Sequence, residues 1–194
     1  MKKSIYYSLL ISAMMSVSVA EETRQVDKHE HGVGVLNIAT EGSSINFEFM
    51  IPGADIVGFE YKAKSDSDIA IVNAALTKFE QFENIFTIPS SSNCTLADSM
   101  IEVDQDEDHD EHDDHDEHDD HDDHDEHDEE AHNEFVAHYS FNCGNVKEID
   151  RIDFPYFNTF PNSGELEVQF VSGVGSTSFE VEGDKPFIDL KGKI

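Results

Sequence analysis

The chain has 194 residues, of which 43 are Asp or Glu and only 12 are Lys or Arg, so its formal net charge is −31. This acidic balance argues against nucleic acids and anionic membranes as partners and favours cations. The length suits one domain, and the apolar content is ample for a core.

The first 20 residues have the pattern of a secretory signal peptide. Lys2 and Lys3 precede a mostly apolar stretch at 5–15, and small residues stand at 18–20. That stretch is shorter than the ~20 apolar residues that a membrane helix needs. We therefore expect residues 21–194 to form a single exported, soluble domain, monomeric and without membrane insertion.

Apolar periodicity predicts the elements of this domain. Alternation indicates a hairpin of two strands near its start. One main helix is predicted over about 66–83, begun by Ser65 or Asp66, because apolar residues three and four apart form one buried face: Ile69, Val72, Leu76, Phe79 and Phe82. The predicted strands lie at 33–39, 44–51, 95–103, 134–141, 166–170, 177–181 and 187–190. These elements favour an α+β fold with a mainly antiparallel sheet. In the strand at 95–103, Leu96 and either Met100 or Ile101 are expected to point inward.

An unusual stretch at 104–130 separates two of these strands. It contains 19 acidic residues, Gln105 and seven histidines spaced three apart, namely His109, His112, His115, His118, His121, His124 and His127. Imidazole is the commonest metal ligand among side chains, and carboxylates can ligate or orient it. On a helix this spacing would carry the rings around the cylinder, and the dense like charge opposes compact structure. We expect a disordered, metal-binding insert between two strands.

The sequence predicts metal binding more firmly than it predicts which metal is bound. Calcium prefers oxygen ligands, whereas zinc takes four tetrahedral ligands that include imidazole. Copper and nickel also suit imidazole, so a copper or nickel carrier stays an alternative to the expected Zn²⁺. An acidic linker is the alternative without metal, but a linker needs no periodic histidines.

Four histidines lie outside this run: His29, His31, His132 and His138. His29 and His31 precede the first predicted strand, and a His-x-His pair on a strand points both rings to one side. His132 ends the insert, and His138 lies on the strand face opposite Phe135 and Tyr139. We expect some of the four to form an ordered metal site, although each also has an ordinary reading as a surface histidine.

The two cysteines, Cys94 and Cys143, flank the insert. In an exported protein they are expected to form a disulfide that joins the chain on either side of it. Two thiolates in a zinc site are the alternative.

Four motifs, taken in order, resemble the zinc-regulated ZrgA-like periplasmic proteins of Gram-negative bacteria. They are His29-Glu30-His31-Gly32-Val33, Pro52-Gly53-Ala54-Asp55, Gly58-Phe59-Glu60 and Phe135-x-x-x-Tyr139-x-Phe141-x-Cys143. The resemblance implies a periplasmic zinc-binding protein that is made under zinc limitation and contributes to zinc acquisition, with a zinc transporter component as a possible partner. The histidines of the family motifs correspond to His29, His31 and His132.

The sequence lacks the motifs of common enzymes. It contains no H-E-x-x-H, no G-x-S-x-G and no phosphate-loop lysine. We therefore expect a binding protein and no catalytic residues. A metal carrier is the favoured class, and a metal-gated structural or adhesion protein of the cell envelope is its rival.

Overall fold

A computed structural model describes residues 32–105 and 133–194 of the chain. The strands are β1 (Val33–Glu41), β2 (Ser44–Pro52), β3 (Cys94–Gln105), β4 (Asn133–Cys143), β5 (Arg151–Asp153), β6 (Glu165–Ser172), β7 (Gly175–Glu182) and β8 (Phe187–Asp189). The α-helices are α1 (Gly53–Val57), α2 (Asp66–Glu80) and α3 (Tyr156–Thr159). Short 3₁₀ turns cover Phe82–Asn84, Ser90–Ser92 and Val146–Glu148. The predicted signal peptide and nearly all of the predicted disordered insert lie outside the described residues.

Six strands form one sheet in the order β3-β4-β2-β1-β6-β7, and β5 pairs with β8 in a small second sheet. Every neighbouring pair is antiparallel except β1 and β6, which run parallel. The prediction of a mostly antiparallel sheet is therefore confirmed. β3 and β4 pair from Cys94 opposite Cys143 to Gln105 opposite Asn133, so the insert connects two adjacent antiparallel strands.

One face of the large sheet is covered by α2 and the segments that follow it. Ser65 begins this helix by accepting a hydrogen bond from the Asp68 N–H, and Val72, Ala75 and Phe79 are buried. The facing strands contribute an aromatic core that includes Phe47, Phe49, Phe135, Tyr139 and Phe141, and Phe86 from the segment after α2 stacks on Phe47. The Tyr139 hydroxyl donates a 2.6 Å hydrogen bond to the Phe79 carbonyl, which ties α2 to the centre of the sheet.

The structure corrects three details of the predicted core. The helix ends at Glu80, and Phe82 begins a separate 3₁₀ turn. Ile69, predicted on the buried helix face, is 43% exposed. Of the three β3 residues considered for the core, Ile101 packs against it, whereas Leu96 and Met100 are 42% and 47% exposed. A register shift between Leu96 and Asp98 moves the alternation by one residue, which a regular pattern does not anticipate.

The predicted disulfide joins Cys94 to Cys143. It does not lie at the mouth of the insert. The two cysteines face each other at the opposite end of the β3–β4 hairpin from Gln105 and Asn133, ~35 Å away at about 3.3 Å per residue. The bridge therefore fixes the base of the hairpin and leaves the insert end held by strand pairing. Within the described ranges, no helix is both long and apolar enough to cross a membrane.

Candidate metal centre

Most of the predicted metal ligands lie outside the described residues. These are His29, His31, His109, His112, His115, His118, His121, His124, His127 and His132. The structure does, however, place Gly32 and Asn133, which directly follow His31 and His132 in the sequence. These two residues mark where both histidine-bearing segments join the fold.

Gly32 is held by hydrogen bonds at both its N–H and its carbonyl. Its N–H donates a 2.9 Å hydrogen bond to Oδ1 of Asp55, a carboxylate that is 3% exposed. Its carbonyl accepts hydrogen bonds from the N–H groups of Gly164 and Glu165, at 3.0 and 2.8 Å. Gly32 has a φ of 89°, a conformation that favours glycine. The chain therefore enters β1 from a fixed position on α1.

Asn133 is anchored to the same region. Its N–H donates to the Glu60 carbonyl at 2.9 Å, and its side-chain Nδ2 donates to the Tyr61 carbonyl at 3.2 Å. Asn133 is 2% exposed and packs directly on Gly53, where an added Cβ would come within 1.4 Å of the Asn133 Oδ1. Glycine at position 53 is thus required by this close approach.

The two anchors meet at one end of the large sheet. Gly32 contacts Asp55 and Asn133 contacts Gly53, two residues apart in α1. β1 and β4 flank β2, so their starting residues are two strand spacings apart, roughly 10 Å. The structure therefore brings the starts of β1 and β4 together, although they lie about 100 residues apart in the chain.

This end of the sheet is rich in carboxylates, and four of them have interaction partners. Asp55, Glu60, Glu134 and Glu165 all lie on or next to the anchored segments, and each is engaged by another group. Burial raises the pKa of the nearby Tyr156; a hydrogen bond with Ser163 opposes the rise, and the negative charge of Asp55 adds to it. Tyr156 is consequently a neutral phenol.

His138 lies elsewhere. It is on the outer face of β4, five residues after Asn133 and so ~17 Å farther along the strand. Its Nδ1 is 3.9 Å from Oε1 of Glu48, and both side chains are about two-fifths exposed, at 38% and 43%. No group of three His, Cys, Asp or Glu side chains suited to a metal ion occurs within residues 32–105 and 133–194.

The donor chemistry at the sheet end fits a metal ion only in combination with the adjoining histidines. Carboxylates orient ligating imidazoles and share their coordination, and Asp55 is held rigidly enough for either role. The sequence names histidines as metal ligands, which stays a prediction, and it does not single out Asp55 or Asn133. The motif Pro52-Gly53-Ala54-Asp55 was the available signal, because a Pro-Gly dipeptide after a strand marks a turn.

Comparison of the sequence with known proteins identifies a family whose model includes these residues. A search among curated proteins finds no match to the chain. The family model for ZrgA family zinc uptake proteins matches residues 28–190. The match spans both anchors, α1, the insert and His138, and it covers most of the chain. The chain therefore belongs to the ZrgA family of zinc uptake proteins.

Proposed function

We propose that this protein binds zinc in the periplasm through two kinds of site and contributes zinc to an uptake system. The first is an ordered site at the end of the sheet formed by His29, His31 and His132, with Asp55 as a ligand or as the acceptor that orients one of their imidazoles. The observation that carries this proposal is the fixing of Gly32 and Asn133 on α1, because each directly follows one of these histidines.

The second site is the histidine-rich insert. The insert connects β3 to β4. The last residue of β3, Gln105, pairs with the first residue of β4, Asn133, at the same end of the sheet as Gly32. Seven histidines and their carboxylates can hold one or two zinc ions in many equivalent arrangements. The insert would thus capture zinc beside the ordered site. Zinc would then pass from the weaker, interchangeable ligand sets of the insert to the one ordered site.

The role is binding and delivery, not catalysis. A catalytic zinc keeps one open coordination position next to a substrate pocket, and a carrier needs only ligands that gain and lose the ion. Delivery implies a partner of the uptake system, for which a transporter component is the candidate. A carrier releases its ion to that partner, whereas a metal-gated adhesin would bind a surface only when loaded.

Zinc titration calorimetry on a variant that lacks residues 106–129 tests the ordered site. We expect one zinc ion to remain bound with a Kd tighter than micromolar, and His31→Gln or His132→Gln in the same background to weaken it at least tenfold. His138→Gln is the matched control and should leave the affinity unchanged. The ordered site is wrong if the deletion variant shows no zinc binding tighter than micromolar.

A further inference from the structure

The outer face of the large sheet, which points away from α2, carries carboxylates but no lysine or arginine. None of its six strands, as the structure bounds them, contains lysine or arginine. The register places ten carboxylates on this face: Glu41, Glu48, Asp98, Glu102, Asp104, Glu134, Glu165, Glu167, Glu180 and Glu182. The eight lysine and arginine residues of the described part lie in α2, in β5, in a 3₁₀ turn and in loops.

An apolar strip crosses the middle of the same face. Val136, Met50 and Val35 are register partners on the three central strands β4, β2 and β1, and each is half-buried. Glu102 and Glu167 flank these three residues in the register, and two more exposed apolar residues, Met100 on β3 and Val171 on β6, lie in other rows of the face. A partly exposed apolar strip with a charged rim is typical of a protein interaction surface.

Beside this strip lies an open groove of about 380 Å³. Its polar lining includes Asn37, Asn46, Glu48, Asp98, His138 and Gln169. The Glu48 carboxylate is oriented across the groove, because Oε2 accepts a 3.2 Å hydrogen bond from Asn37 Nδ2 while Oε1 faces His138. A carboxylate held in this way suits a guanidinium or ammonium group.

We infer that this face docks a protein partner with a basic, partly apolar surface. The apolar strip buries the apolar side chains of the partner, the acidic rim pairs with its cations, and the groove takes one lysine or arginine side chain at Glu48. Charge complementarity of this kind sets partner choice and association rate. A free metal cation would use the carboxylates alone and has no use for the strip. The docking surface does not depend on zinc binding.

The inference can be tested by NMR on the isotope-labelled full chain. The probe is a short synthetic amphipathic helix with lysine on one side and leucine on the other. The face variant is Glu102→Lys with Glu167→Lys, two exposed positions on opposite sides of the sheet face. Its matched control is Glu80→Lys with Glu83→Lys, which makes the same charge change at exposed positions at the end of α2.

We expect the probe to shift amide signals of β1, β2 and β4, and the face variant to bind it at least tenfold more weakly than the wild type. The control variant should bind within about twofold of the wild type. Residue-resolved shifts separate the sheet face from the acidic insert, which also attracts cations. Equal weakening in both variants, or shifts confined to the insert or to α2, would overturn the inference.

Discussion

The N–H of Gly32 donates a 2.9 Å hydrogen bond to the buried carboxylate of Asp55. This bond joins the start of β1 to α1, which follows directly on β2. A charged acceptor makes such a bond stronger than a neutral one. The position of Gly32, where β1 begins, therefore depends on a residue 23 positions away in the chain.

Two substitutions of Asp55 should distinguish the effect of its negative charge from that of its hydrogen bond to Gly32. Asp55→Asn keeps an acceptor for Gly32 and should fold, but we expect it to weaken the ordered zinc site at least tenfold because the negative charge is lost. Asp55→Ala also leaves the Gly32 N–H without its acceptor, which should lower the free energy of unfolding by about 1–3 kcal/mol. Urea unfolding and zinc calorimetry measure the two effects. Wild-type zinc affinity in Asp55→Asn would remove Asp55 from the site.

Gly53→Ala should disturb Asn133 directly. The added Cβ would lie 1.4 Å from the Asn133 Oδ1, so the amide must move, and overpacking of this kind costs about 1–3 kcal/mol. Gly173→Ala is the matched control, since a Cβ there meets no atom within 4 Å. Thermal melts of both variants give the comparison. An unchanged melting temperature for Gly53→Ala would contradict the packing of Asn133 on Gly53.

Deletion of residues 106–129 should leave a cooperatively folded domain. β3 and β4 pair along their whole length up to Gln105 and Asn133, and the disulfide fixes their other end. Shortening a loop changes the closure free energy by only about 0.6 kcal/mol per halving. Denaturant unfolding of the oxidised protein should show one transition with a similar slope. A broad, non-cooperative transition would mean that the insert contributes to the core.

Sequence periodicity predicted the six strands of the large sheet because each buries one face, but it did not predict β5. Phe47, Phe49 and Tyr139 are inward as alternation requires, and the two cysteines pair as export implies. The parallel pairing of β1 with β6 has no local signal, since it joins segments more than 120 residues apart. The shift after Leu96 is likewise set by the pairing with β4 and not by the local pattern.

The candidate site was predicted less completely than the fold. Histidine spacing predicts metal ligands from the composition alone. The contribution of Asp55 and Asn133 depends on tertiary contacts with Gly32 and Gly53, which no spacing within one segment encodes. The ligand roles of the histidines in the insert and before β1 stay predictions.

Buried tyrosines should make the fold sensitive to alkali. Burial raises the pKa of Tyr139 well above its ordinary value of 10.0. The folded state therefore favours the protonated phenol, so its contribution to stability is complete below pH 10 and is lost as the pH rises further. Unfolding free energies measured from pH 8 to 11 should fall steeply above about pH 10.

Tyr139→Phe is the matched variant for this test. It loses the hydrogen bond to the Phe79 carbonyl and should be about 1 kcal/mol less stable at neutral pH. Its stability should then fall less steeply in alkali, with a residual slope from Tyr156, whose pKa is also raised by burial. Identical slopes for the wild type and Tyr139→Phe would assign the alkaline loss to other groups.

The central claim is that imidazoles of the insert carry most of the zinc. Competition of the full chain against a zinc indicator, with and without His→Gln at all seven positions of the insert, measures it directly. Zinc stoichiometry of the wild type should be high near pH 7.5 and mostly lost by about pH 5.5, because histidines with an ordinary pKa of about 6.5 must lose a proton to bind. The seven-fold variant should keep only the ordered site. Wild-type stoichiometry in that variant at pH 7.5 would contradict the claim, and persistence of binding to about pH 4 would assign the zinc to carboxylates instead.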